Sequence, residues 1–129
     1  MIERRILQIT IAVASLVPIC AGVTGIALGP AMVDAGAVPI GADSHFRYLS
    51  GLLLGIGIGF VTTIPRIERR TARVRLLAAL VVTGGLGRLW SLIALGAPNK
   101  SMLAALVMEL GVTPALALWQ ARVAAQARH

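Results

Sequence analysis

Two apolar runs each hold one fixed charge. "VVTGGLGRLWSLIALG" (residues 81–96) contains Arg88, and "MLAALVMELGVTPALALW" (residues 102–119) contains Glu109. An arginine near the centre of a bilayer costs about 2.5–3.5 kcal/mol on insertion scales, so it needs a partner, water or an outer boundary. Arg88 lies seven residues before Leu95 and Glu109 seven after Met102. At a rise of about 1.5 Å per residue both lie roughly 10 Å below the same end of their helices. The intervening "GAPNK" (residues 96–100) is short, which makes the two helices antiparallel neighbours. A buried Arg88–Glu109 ion pair is therefore expected.

Other polar residues fall on related faces. Ser91 shares a helical stripe with Arg88, and Thr113 shares one with Glu109. Before the second apolar run stand Asp43, His45, Arg47 and Tyr48. Together these residues are expected to line a polar pocket opening outward. Two arginines and one glutamate give it a positive balance, and the guanidinium fork suits carboxylate or phosphate. Three readings stay open: a pair that only fixes helix register, a pocket for an anionic or amphiphilic small ligand, and a proton-coupled role for Glu109. A close arginine opposes the last by favouring the charged carboxylate.

No catalytic residues emerge. Ser44 and Ser50 flank His45 without a nucleophile–base motif. His45 and His129 fall on opposite sides of the membrane, and no metal-binding spacing occurs, so neither a metal nor a cofactor is expected. The one cysteine, Cys20, allows no intrachain disulfide.

The elements that must position these groups are membrane helices. Of 129 residues, 57% are hydrophobic and 13% charged, against about 25% charged in soluble domains. Four runs are long enough to cross a bilayer. The expected helices cover about residues 6–28, 46–64, 75–95 and 102–120, in a single membrane domain, 1–129, with no strand periodicity. The fold class is all-α: an integral membrane four-helix bundle. The first run is longer than a cleaved signal and lacks a cleavage motif, so it reads as a retained helix. The net charge of +7 belongs to membrane topology and anionic lipid rather than to nucleic acid, because the arginines bracket the apolar spans. Arg4, Arg5, Arg66, Arg69, Arg70, Arg73, Arg75, Arg122 and Arg128 fall on one side. The other side has Arg47 and Lys100, with Asp34 and Asp43. Both termini are then expected to be cytoplasmic.

Membrane helices associate through close packing, which favours small residues. Gly51, Gly55 and Gly59 form a stripe on the second helix, with Gly57 between. Gly25 and Gly29 repeat that spacing on the first, with Gly22 a turn earlier, and Gly84 and Gly85 stand on the third. Packing within one bundle is the plain reading; homodimerisation or docking on a larger complex is the other.

At "SHFRYLSG" (44–51), "GGLGRLWSL" (84–92), "GAP" (96–98) and "MELGVTP" (108–114) the chain resembles the bacterial four-helix membrane proteins of domain-of-unknown-function family 4345, over about residues 5–122. The resemblance implies a multi-pass protein of the bacterial inner membrane. It implies that His45, Phe46, Arg47, Tyr48, Gly85, Arg88, Gly96, Pro98 and Glu109 match the family pattern, and it brings no activity. The expected function is a non-enzymatic accessory or assembly subunit of a larger membrane complex, or a binder of a small amphiphile. A small proton-coupled transporter and a membrane-embedded enzyme on lipid or quinone are the alternatives. For an enzyme, only Glu109, His45 and Tyr48 offer an acid or base. Expected partners are membrane lipids, a larger complex or a second copy, and the anionic or amphiphilic ligand.

Overall fold

The computed structural model describes every residue except Asp34, so Asp34, counted above with the first connection, lies outside the described residues. The described residues are predominantly helical, and no strand occurs among them. The helices are α1 (Ile2–Leu28), α2 (Ile40–Val61), α3 (Thr71–Leu95), α4 (Lys100–Val107) and α5 (Thr113–Gln126). A π-helical turn, Met108–Val112, joins α4 to α5 in one continuous run. The runs Ile2–Val33, Ile40–Val61, Thr71–Leu95 and Lys100–Gln126 are four helices long and apolar enough to cross a membrane. The chain is a multi-pass membrane protein.

The helices outrun the apolar stretches that reveal them. Backbone hydrogen bonding continues through charged residues that tolerate helix well, such as Glu3 and Arg4 ahead of the first apolar run. Two ends extend by six residues: α5 runs on to Gln126 rather than 120, and α2 starts at Ile40 rather than near residue 46. Pro39 stands at its N-cap with φ −56°, a value the pyrrolidine ring fixes and a helix entrance can use. The α-helical bonding of α2 ends at Val61, short of residue 64, and Pro65 has no N–H with which to continue it. The chain passes through a tight 3-10 segment, Ile64–Arg69, before α3.

The structure divides into two compact units, residues 9–64 and residues 1–8 with 65–129. In the first, the close approach of α1 and α2 uses Gly22, Gly25 and Gly57. A Cβ at Gly22 would fall 2.7 Å from the Leu54 backbone nitrogen, one at Gly25 would collide with the Ser50 side chain, and one at Gly57 would fall 2.7 Å from Ile19 Cγ1. The expected face differs from the observed one. On α2 the contact runs through Ser50, Leu54 and Gly57, while Gly51 and Gly55 lie off it. A Cβ at Gly55 would meet nothing within 4 Å outside its own helix, and one at Gly51 only Ile26 Cδ1 at 4.0 Å. The reason is angular: residues 50, 54 and 57 share a face that 51 and 55 leave by about 100°.

In the second unit the core gathers where the first turns of α1, the start of α3 and the end of α5 meet. Leu7, Ile67, Val74, Ala78, Val123 and Ala124 are buried there. Gln120 is fully buried among them. Its Nε2 donates to the Ile67 carbonyl at 2.7 Å and to Thr71 Oγ1 at 3.0 Å. The amide thus satisfies a carbonyl that the turn from Ile67 into α3 would otherwise strand. Glu3 extends the same knot, accepting from Trp119 Nε1 at 3.1 Å.

Candidate functional site

Arg88 and Glu109 meet in the second unit, through two parallel bonds. Arg88 Nε donates to Glu109 Oε2 at 3.0 Å, and Nη2 donates to Oε1 at 3.0 Å. This bidentate arrangement is the strong form of a charge-assisted pair. Both side chains are partly enclosed, at 28% and 17% exposure. Gly85, one turn before Arg88, permits the approach: a Cβ there would fall 2.8 Å from Glu109 Cβ and 2.8 Å from Leu110 Cδ2. Gly84, the next residue, meets nothing within 4 Å, so of the two glycines Gly85 makes the contact.

Glu109 sits in the π-helical turn. Pro114 lacks an N–H, and its ring crowds the carbonyl four residues earlier. The helix accommodates it by widening: Thr113 N–H reaches back to the Met108 carbonyl, and Thr113 Oγ1 donates to the same oxygen at 2.9 Å. Such single turns alter the angular phase of the side chains that follow and recur at functional sites. Thr113 is thereby committed to the backbone. Ser91 is exposed on α3.

The guanidinium of Arg88 is only half used. Glu109 takes the side fork, Nε and Nη2. On the end fork the acceptor is Met102 Sδ, 3.4 Å from Nη1. A thioether is a weak acceptor, so the end fork keeps donor capacity for an oxygen ligand. Nothing in the sequence pattern singled out Met102; an unbranched side chain one turn into α4 gives no signal of its own.

Arg47 is placed quite differently, in the unit of residues 9–64. Because α2 starts early, Asp43 lies in its first turn, four residues before Arg47 on the same face. Arg47 Nε donates to Asp43 Oδ1 at 2.8 Å and Nη2 contacts Oδ2 at 3.4 Å. Nη1 donates to the carbonyls of Ile26 at 2.6 Å and Ala27 at 3.3 Å. Those are last-turn carbonyls of α1 that lack an intrahelical partner. Arg47 therefore caps α1 from the neighbouring helix. Gly29 makes room for it: its φ is +63°, and a Cβ would fall 2.7 Å from Arg47 Nη2. His45 and Tyr48 stack with ring centroids 6.4 Å apart, and Tyr48 is exposed.

This placement revises the expected charge balance. Each arginine has its own carboxylate, Arg47 with Asp43 and Arg88 with Glu109, so neither cluster carries an excess positive charge toward a ligand. The i,i+4 spacing of Asp43 and Arg47 was the available signal; it is read correctly only once α2 is known to begin at Ile40.

An all-helical membrane protein with four spanning helices and a bidentate ion pair between two of them is the class this structure defines. The chain belongs to the family described as Domain of unknown function (DUF4345), whose model matches residues 6–120. No curated protein matches the chain. No solved structure matches it either.

Proposed function

We propose that this is a non-enzymatic membrane protein whose Arg88–Glu109 site holds the polar head of a small amphiphile. The observation that carries the reading is the half-used guanidinium, with Glu109 on its side fork and a thioether on its end fork. Since the pair is neutral as a whole, the ligand that suits it best is a neutral head with a carbonyl or ether oxygen. An anion would leave a net negative charge in a poorly solvated place, which is costly. The pair itself orients the fork without a ligand.

The experiment is native mass spectrometry of the protein released gently from its own membrane, beside Arg88→Lys. Lysine keeps the charge and removes the planar fork. A small molecule retained by the wild type and lost from the variant supports the proposal. Equal retention by both sinks it.

A second reading, an accessory subunit of a larger membrane complex, draws on the face at Gly51 and Gly55, where within the unit of residues 9–64 an added Cβ would meet no described residue nearer than 4.0 Å outside its own helix. Small-residue faces of this kind are where membrane helices dock. Gly55→Leu should then lose a stoichiometric protein partner in mild detergent, and normal copurification by that variant would count against it.

We also infer that both termini lie on the cytoplasmic side of a bacterial inner membrane. Nine arginines at one set of helix ends, against Arg47 and Lys100 at the other, support this by the positive-inside rule. A reporter fused after His129 that is active only in the cytoplasm checks it.

A further inference from the structure

The unit formed by residues 1–8 and 65–129 has a second polar region. It lies about 25 Å along α3 from Arg88, which is 17 residues beyond Thr71. A cavity of about 510 Å³ opens among the first turns of α1, the 3-10 segment before α3 and the end of α5. Arg4, Arg69 and Arg128 line it together with Glu3 and Glu68, over a floor that includes Val123. That volume is in the range of small-ligand sites.

The two acids are already engaged. Glu3 accepts from Trp119 and lies 3.5 Å from Arg122 Nε. Glu68 Oε2 lies 3.1 Å from Arg4 Nε. That contact is misaligned, and neither buried atom makes a hydrogen bond. The other two buried side-chain polar atoms left without a hydrogen bond, Arg70 Nε and Gln120 Oε1, lie in this region as well. Of these four atoms among the described residues, Arg4 Nε and Arg70 Nε are donors, and buried donors without acceptors are uncommon and call for an explanation; Glu68 Oε2 and Gln120 Oε1 are acceptors, which an anion does not serve. Arg69 and Arg128, exposed on the cavity rim, make no side-chain bond to any described residue. The cavity thus combines two unengaged guanidinium forks, a third beside Glu68 and the Pro65 carbonyl, and an apolar floor.

We infer that this cavity binds a phosphate group. Phosphate offers several strong acceptor oxygens to planar guanidinium forks. It supplies the negative charge that the two engaged glutamates do not spare for Arg69 and Arg128. Basic pockets between membrane helices hold the heads of anionic lipids in this manner, and a free phosphate offers the same oxygens without the apolar tail that Val123 would meet.

The test uses the full chain in a neutral detergent, titrated separately with short-chain phosphatidic acid, short-chain diacylglycerol and inorganic phosphate. The readouts are the thermal unfolding midpoint and, in a Trp90→Phe background, the fluorescence of Trp119, whose indole bonds Glu3 at the cavity; Ala127→Trp is read by the midpoint alone. Saturable binding of phosphatidic acid should weaken about thirtyfold in Arg69→Gln/Arg128→Gln, the product expected for two surface arginines attracting an anionic lipid. Both arginines are exposed and unbonded, so the double variant should unfold at the wild-type midpoint. Ala127→Trp fills the cavity and changes no charge, and it should abolish the binding. Inorganic phosphate that competes with equal affinity identifies a free phosphate as the ligand; phosphate that fails to compete while phosphatidic acid binds identifies a lipid head. The inference is overturned if diacylglycerol, which has no phosphate, binds as well as phosphatidic acid, if no probe saturates, or if binding survives Ala127→Trp as diffuse attraction to a basic surface.

Discussion

The two arginines on the polar faces, Arg47 and Arg88, each pair with one carboxylate, yet they do opposite things. Arg47 pairs within a single helix, four residues from Asp43, and spends its remaining fork on the Ile26 and Ala27 carbonyls. Four of its five N–H groups meet an oxygen of the protein. Arg88 pairs across a helix connection, 21 positions along the chain, and spends its remaining fork on a thioether. It is anchored and still able to donate. A charged side chain in an apolar setting is therefore informative only when all its donors are accounted for. Oxygen acceptors on both edges of the guanidinium mark a structural cap, and an edge left to a thioether marks a place where something else fits.

The largest effect should come from breaking the long-range pair. Glu109→Leu and Arg88→Met should each destabilise the protein by about 3–5 kcal/mol, because each strands a partly enclosed charge. The double variant should lose less than the sum. Thermal unfolding in detergent measures all three, and strictly additive losses would show that the side chains do not support each other. Gly85→Ala comes next, at about 1–3 kcal/mol, since its methyl group meets Glu109 and Leu110 in a packed contact. The neighbouring Gly84→Ala should stay within about 0.5 kcal/mol, as for substitutions away from packed features. Equal losses at the two glycines would erase the distinction between them.

A smaller and more local effect is expected at the capped end of α1. Arg47→Gln should speed hydrogen exchange around Gly29–Val33, with little change in the global unfolding midpoint. The cap holds a helix end rather than a core, and helix ends open locally. A large fall in the midpoint would mean that the cap supports more than its own turn. The smallest effect is at Gly55→Ala, which should leave the stability of the isolated protein unchanged because the site is open. Any loss of stability there would mean that the stripe is packed after all.

How far these features were legible in the sequence varies by type. Length and composition suffice for the four spans, since backbone groups in lipid must bond within their own segment and only apolar runs of that length can cross. Shared depth on antiparallel neighbours was enough to bring Arg88 and Glu109 into view together. The cap by Arg47 was not legible, because it rests on the early start of α2 and on α1 carbonyls that carry no side-chain label. Gln120 was likewise passed over. A single amide in "LALWQARVAA" becomes significant only when the Ile67 carbonyl is found beside it. The glycine faces show the limit most clearly. Gly51, Gly55 and Gly59 form the most regular spacing in the chain, while the close approach of α1 and α2 uses Gly22, Gly25 and Gly57.

By itself, then, the sequence determined that this is a helical membrane protein with four spans and a few charges too costly to leave alone in lipid. Hydrophobic length and charge cost are additive properties of a segment, and they can be read residue by residue. Only the tertiary structure decided which donors those charges have left, which glycines are in contact and where basic side chains surround a cavity. Those are properties of pairs of surfaces. They depend on helix phase, which a π-helical turn at Met108–Val112 or an early helix start at Ile40 changes without altering the composition at all.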